Sequence, residues 1–307
     1  MIKVSVAIGN RAEEGLTRPI RNRLRRSPDF ELMELDVVGY DFGTSYEIAD
    51  AHFKIFKPDM AFIPCDRFEI LACALAAFFN NIPIAHDGAG DTEEIDADHT
   101  GTIRQMISLM ADLIFVYGED RKAWLIQRGM TPDKIFSVAT TAFDDLVIDE
   151  SLGLKLGKGR YDMVLYHPLS AYPEKMDGEL QEIAALIHDN KNDGIKTIWL
   201  KPNIDPGNEE IIAFASSVGF KILHSYPRDT FVGLMKNCRR FIGNSSSMIY
   251  EAPFFLKPKQ IIQVGIRNRG RAPPEKIAGY VSQSGSDQIV DILRRWDCEK
   301  KNVRPVG

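Results

Sequence analysis

Short apolar runs bounded by Gly, Pro, Asn and Asp alternate along this chain with longer segments of helical period, the pattern of parallel strands joined by helices. In the first half the runs predict strands near residues 2–8, 31–38, 59–64, 82–86, 113–117 and 135–138. In the second half they fall near 162–166, 195–200, 220–224, 239–242 and 259–264. Helices are predicted near 15–26, 44–56, 67–80, 101–111, 119–128, 177–191, 207–217, 228–237, 247–256 and 286–296. The expected fold class is therefore α/β with two Rossmann-like domains, residues 1–150 and 160–285, and a helix and tail over 286–307 that packs back on the first domain. The stretch Asp149 to Arg160, low in hydrophobicity and carrying Gly153, Gly157 and Gly159, is the expected linker. Open α/β sheets bind ligands beyond the carboxyl ends of their strands, so the expected site is a cleft between the two domains.

Composition narrows the class. A chain of 307 residues, 44% apolar and 26% charged, fits a globular protein of two domains. No apolar run reaches the roughly 18 residues a membrane span needs, and Met1 to Gly9 reads as a buried strand without a signal-peptide cleavage pattern. A cytoplasmic location without a membrane partner is expected. A net charge of −5 argues against a nucleic-acid partner, and the basic run Arg18 to Arg26 is expected to be a solvated helix face with Arg18 turned inward. Cys65, Cys73, Cys238 and Cys298 are scattered, with neither metal-ligand spacing nor a paired framework, so reduced thiols and no metal are expected.

The most informative segment is Gly243-Asn244-Ser245-Ser246-Ser247-Met248-Ile249-Tyr250-Glu251-Ala252-Pro253, after the strand-like Arg240-Phe241-Ile242. Three hydroxyls and unpaired N–H groups at a helix start suit an anion such as phosphate. Downstream, Arg267, Arg269 and Arg271 add guanidinium forks that match phosphate oxygens. A nucleotide diphosphate is the leading ligand, against the plainer reading that the serines cap a helix. Asp66, in Pro64-Cys65-Asp66-Arg67-Phe68-Glu69 at the end of another strand, either caps the following helix or serves as an acid or base. Gly88 and Gly90, in Ala85-His86-Asp87-Gly88-Ala89-Gly90-Asp91, permit close approach of backbone to ligand. His167 in Val164-Leu165-Tyr166-His167-Pro168 ends a further strand and suits proton transfer or a bond to phosphate, with a buried structural histidine as the alternative.

The run GNSSSMIYEAPFFLKPKQIIQVGIRNRGRAPPEKI resembles the C-terminal signature of the hydrolysing UDP-N-acetylglucosamine 2-epimerases, and Asp66-Arg67-Phe68-Glu69 resembles what their sialic-acid branch has at that point. The resemblance extends to Arg11-Ala12-Glu13 and Arg18-Pro19, to Asp66-Arg67-Phe68-Glu69, to His167-Pro168 and to Pro202-Asn203-Ile204-Asp205-Pro206-Gly207, covering roughly residues 1–30 and 58–285. It implies a glycosyltransferase-B fold. It also implies that Arg11, Arg18, His86, Asn203, Asp205, Asn244, Ser245, Ser246, Ser247, Glu251, Arg267 and Arg271 hold the nucleotide sugar, with Ser225 to Asp229 beside the uracil. Asp66, Asp87, Asp91 and His167 are the implied catalytic set. In the resembled reaction a base removes the sugar C2 proton as UDP leaves, and water then adds to give N-acetylmannosamine with no cofactor. A homodimer with a UDP-sugar substrate is expected.

Two departures stand out. The family's catalytic glutamate aligns with Gly88, so Asp87 supplies that carboxyl only if the chain path shifts. Its aspartate aligns with Thr100 and its histidine with Gln105. Asp96, Asp98 and His99 are the nearest replacements, in an acidic loop expected to be solvated. These losses keep three alternatives open: a related enzyme for another UDP- or GDP-sugar, a glycosyltransferase on the same fold, and a non-catalytic nucleotide-sugar-binding protein.

Overall fold

The computed structural model describes residues 1–92, 94–272 and 284–296. The chain forms two compact units. One holds residues 1–91, 100–145 and 284–296; the other holds 92, 94–99 and 146–272. No helix among the described residues is long and apolar enough to cross a membrane.

In the first unit the chain runs β1 (Ile2–Ile8), α1 (Arg11–Arg26), β2 (Phe30–Asp36), α2 (Phe42–Phe56), β3 (Met60–Pro64), α3 (Phe68–Phe79), β4 (Ile84–Ala89), α4 (Thr100–Met110), β5 (Leu113–Val116), α5 (Glu119–Gln127) and β6 (Ile135–Ser137). All pairings are parallel, in the order β2-β1-β3-β4-β5-β6. Period-two alternation divides each strand between two cores. Ala61 and Ile63 of β3 join Phe53, Ile70 and Ile107 under α2, α3 and α4. Met60 and Phe62 join Ile20 and Leu24 of α1 on the opposite face. The second unit contains α6 (Ser151–Leu156), β7 (Tyr161–Leu165), α7 (Met176–Ile187), β8 (Lys196–Leu200), α8 (Asn208–Ser217), β9 (Ile222–Leu223), α9 (Arg228–Asn237), β10 (Arg240–Gly243), α10 (Ser247–Tyr250) and β11 (Ile261–Gln263). Its parallel sheet has the order β11-β10-β7-β8-β9. The final helix, α11 (Gly285–Arg295), belongs to the first unit, where Ile289, Val290 and Leu293 complete the core beneath α1. Each such side chain removed from water contributes about 1.5–3 kcal/mol.

Three local departures from the sequence pattern have physical causes. Helix α1 begins at Arg11 rather than near residue 15 because Asn10 caps it, its Oδ1 accepting from the N–H groups of Ala12 and Glu13 at 2.8 and 3.0 Å. The expected linker is partly helical, as α6 packs on α9 through small residues. A Cβ on Gly153 would lie 3.0 Å from the Gly233 carbonyl oxygen, so that glycine serves contact rather than freedom. The helix expected over 247–256 is a single turn, with a separate 3-10 turn over Ala252–Phe254 that carries Pro253.

In each sheet the strand order reverses once, between β1 and β3 in the first unit and between β7 and β10 in the second. Such switch points are where open α/β sheets bind ligands.

Candidate functional site

Beyond the β7/β10 switch point of the second unit, Asn244 and His167 are locked together. The Asn244 Oδ1 accepts from the His167 N–H at 2.7 Å, and Asn244 Nδ2 donates to the His167 carbonyl at 2.9 Å. His167 Nδ1 accepts from the Asn203 N–H at 3.1 Å, so the neutral imidazole carries its proton on Nε2. Gly243 precedes the turn with φ 137°, and a Cβ there would collide with the Leu165 carbonyl, which makes glycine obligatory.

Ser245 and Ser247 are buried and share a hydrogen bond of 2.8 Å between their hydroxyls, while Ser246 is half-buried. The arginine loop is tied onto this turn, since Asn268 Nδ2 donates to the Ser245 carbonyl at 3.2 Å and Arg267 donates to the Asn244 carbonyl at 3.1 Å. The serine turn and the loop that carries the arginines therefore meet. A four-residue helix has only a small dipole, so an anion at this turn would depend on hydroxyls and N–H groups.

Two residues in this unit differ from their expected use. Arg267 directs Nε to Asp98 at 2.7 Å and a second nitrogen to the same carboxylate at 2.6 Å, so its fork fastens the segment 94–99 instead of facing an anion. That segment is not a solvated acidic loop: Ala97 is fully buried, and Asp98 has 3% of its side chain exposed. Glu251 is paired with Arg228 at the start of α9, next to Tyr226 and Pro227. Asn203 and Asp205 are half-buried on the loop after β8.

In the first unit the chemistry is charged rather than neutral. Asp66 follows β3 and is paired with Arg104 of α4, which also approaches Asp91 at 3.8 Å. Arg121 of α5 reaches Asp91 at 3.3 Å. The α4 and α5 arginines thus gather two carboxylates from the ends of β3 and β4. Cys65, the residue before Asp66, is left-handed with φ 60°, and its carbonyl accepts from His86 Nε2 at 2.8 Å. His86 is 0% exposed, its Nδ1 lies 2.9 Å from Ser108 Oγ, and burial pushes its pKa down to about 4. His86, expected to contact the ligand, is buried with both ring nitrogens engaged by the protein, and it props the turn that carries Asp66.

Asp87 is a carboxyl strongly altered by its surroundings. The pairing of β4 with β5 becomes irregular between Asp87 and Ala89, where Gly88 adopts φ 78°, and such a break re-aims the neighbouring side chain. Burial pushes Asp87 up to about 7, opposed by hydrogen bonds from Tyr117 and the Gly88 N–H. The Tyr117 hydroxyl lies 2.8 and 2.9 Å from the two carboxylate oxygens. Nearby, Glu13 accepts from the Gly9 N–H at 2.9 Å and is pushed up to about 8, first by burial and then by the Glu69 charge. Glu69 is in turn paired with Arg67 at 2.6 Å. Arg18 is half-buried on α1. Arg11 opens that helix, and its side chain lies outside the described atoms.

Sequence reasoning missed Tyr117, Arg104 and Arg121. The available signal was position: Tyr117 follows β5 directly, where polar residues face the ligand side of the sheet. The described residues contain no group of three or more His, Cys, Asp or Glu able to hold a metal ion.

The family model for UDP-N-acetylglucosamine 2-epimerase matches residues 37–305. The chain is 26% identical to a GDP/UDP-N,N'-diacetylbacillosamine 2-epimerase (hydrolyzing) from Campylobacter jejuni, over 90% of this chain and 83% of that protein. A UDP-N,N'-diacetylbacillosamine 2-epimerase (hydrolyzing) from Legionella pneumophila is 25% identical over 98% and 88% of the two chains. Among solved structures, the UDP-GlcNAc 2-epimerase of Neisseria meningitidis bound to UDP-GlcNAc gives a TM-score of 0.72 at 16% identity, covering 95% of this chain and 99% of that one. That likeness shows the fold, two Rossmann-like units of the glycosyltransferase-B type. With most of its length matched by the family model, this chain belongs to the UDP-N-acetylglucosamine 2-epimerase family.

Proposed function

We propose that this chain is a hydrolysing 2-epimerase of UDP-linked 2-acetamido sugars, releasing UDP and, from UDP-N-acetylglucosamine, N-acetylmannosamine. The observation that carries the reading is Asp87, a carboxyl at the end of β4 pushed up to about 7 beside the strand irregularity at Gly88. The family's glutamate aligns with Gly88, and the irregularity beside it supports a reading in which the carboxyl one position earlier takes that place. A carboxyl titrating near neutrality accepts and returns a proton at working pH.

The proposed chemistry runs in two stages. A base takes the C2 proton, its electron pair forms the C1–C2 double bond, and the C1–O bond breaks with UDP leaving on that oxygen. Water then adds across the double bond, hydroxide to C1 and a proton to C2 from the opposite face. Asp87 is the proposed base, with Asp66 and His167 in the acid and base set. Ser245, Ser246 and Arg271 are the proposed holders of the diphosphate, where negative charge grows as the bond breaks.

Turnover in deuterated water tests this reading. UDP-N-acetylglucosamine is expected to yield UDP and N-acetylmannosamine with deuterium at C2, read by proton NMR and mass spectrometry. Free sugar retaining its C2 proton would replace the epimerase with a plain hydrolase. One observation favours a second reading of the substrate: the Campylobacter and Legionella relatives are both named for diacetylbacillosamine nucleotides. The same assay with UDP-N,N'-diacetylbacillosamine decides between the two sugars by their kcat/KM ratio.

A further inference from the structure

Asp87 is 4% exposed, and its carboxyl has a partner just beyond the end of a different strand. Tyr117, the residue after β5, places one hydroxyl between both carboxylate oxygens at 2.8 and 2.9 Å. Behind it, Thr141 Oγ1 lies 3.3 Å from the same hydroxyl and is itself buried, in the 3-10 turn Thr141–Phe143. We propose that Tyr117 is the positioning residue of the acid/base centre: it fixes the orientation of the Asp87 carboxyl, and its single hydroxyl proton alternates between Asp87 and Thr141 as Asp87 gains and loses a proton. The proposal rests on the epimerase reading for its role in turnover, though not for the pairing itself.

A buried carboxylate must accept hydrogen bonds, and the charge-assisted kind is the strong one. While Asp87 is ionised, the phenol donates to it. When Asp87 takes up a proton it needs that donation less, and Thr141 Oγ1 is the alternative acceptor within reach. Tyr117 stays a donor throughout, because burial and the Asp87 charge push its own pKa well above that of an exposed phenol. Among the described residues, the Gly88 N–H on β4 and the Cys65 thiol from the turn after β3 also act on this pair, with Glu13, Asp91 and Arg104 beyond the thiol. The thiol is pushed up by burial and by the charges of Glu13 and Asp87, with Arg104 opposing, so it remains neutral. Tyr117 is therefore the group whose hydroxyl offsets the effect of burial on Asp87, holding its titration near neutrality rather than higher.

The sign of the effect makes this testable. Removing the donor by Tyr117→Phe takes away stabilisation of the ionised carboxylate, so the Asp87 midpoint is expected to rise by about one pH unit. The carbon-13 NMR signal of the Asp87 carboxyl, assigned by its loss in Asp87→Asn, gives that midpoint on the full chain without substrate. A fluorinated tyrosine at position 117 is a stronger donor of similar shape and is expected to lower the midpoint. With UDP-N-acetylglucosamine, the acid limb of the kcat/KM profile is expected to follow in the same directions, while the UDP-induced rise in melting temperature stays unchanged. An unmoved carboxyl midpoint in both variants overturns the proposal. A midpoint that moves while the acid limb stays fixed overturns the positioning role. If both midpoints move as expected but no UDP-sugar is turned over, the pairing stands and the epimerase reading falls.

Discussion

The two strand-end regions reach their polar character by opposite means. In the second unit, Asn244, Ser245, Ser247, Asn268 and His167 are joined by neutral hydrogen bonds, within a turn whose backbone is imposed by Gly243. In the first unit, Glu13, Asp66, Asp87 and Asp91 are buried or nearly so, and are met by Arg67, Arg104, Arg121 and Tyr117. A neutral preformed turn suits recognition, since its donors are oriented before a ligand arrives. A set of buried carboxyls suits proton transfer, since burial separates their pKa values. The serine turn is one contiguous segment, whereas Asp87 stands where the pairing of β4 with β5 becomes irregular.

The comparison breaks most decisively at Asp87. If the first unit carries the chemistry and the second the recognition, Asp87→Asn lowers turnover by roughly 100-fold or more. The rise in melting temperature produced by UDP should survive that substitution. Loss of both together in a variant with normal far-UV dichroism would merge the two regions into one functional unit.

A second effect concerns stability and belongs to the first unit. Glu13 has a folded pKa of about 8 against 4.5 for the ordinary side chain, so its contribution to stability is complete below about pH 4.5 and is lost as pH rises through 8. Glu13→Gln keeps the shape and removes the titration. Between pH 6 and 9 the wild type should therefore lose more stability than this variant, by on the order of a few kcal/mol, read from urea midpoints across the range. Equal slopes would mean that Glu13 titrates as an exposed carboxylate does.

The smallest effect sharpens the other side. Ser246, the least buried of the three serines, should lose about 1 kcal/mol of UDP affinity on Ser246→Ala, a several-fold rise in Kd by calorimetry with little change in the melting temperature of the ligand-free protein. A large fall in that melting temperature would assign Ser246 to the framework of the turn.

What the sequence determined by itself was everything local in period and composition. The strand expected over 2–8 is Ile2–Ile8, and the helix expected over 228–237 is Arg228–Asn237, because alternating and helical periods are short-range properties of the chain. The family signature and the serine turn were likewise legible, being contiguous. Tertiary structure alone decided which charges meet. Arg267 looked like a phosphate ligand until Asp98, 169 residues away, was found to hold it. His86 looked like a ligand contact until burial and the Cys65 carbonyl claimed it. Tyr117 carried no motif, and it acquires meaning only because β5 lies beside β4 and brings its hydroxyl to Asp87. The physical reason is that pKa and partner choice depend on burial and on approach within a few ångströms, and both are set by strand order rather than by sequence neighbours.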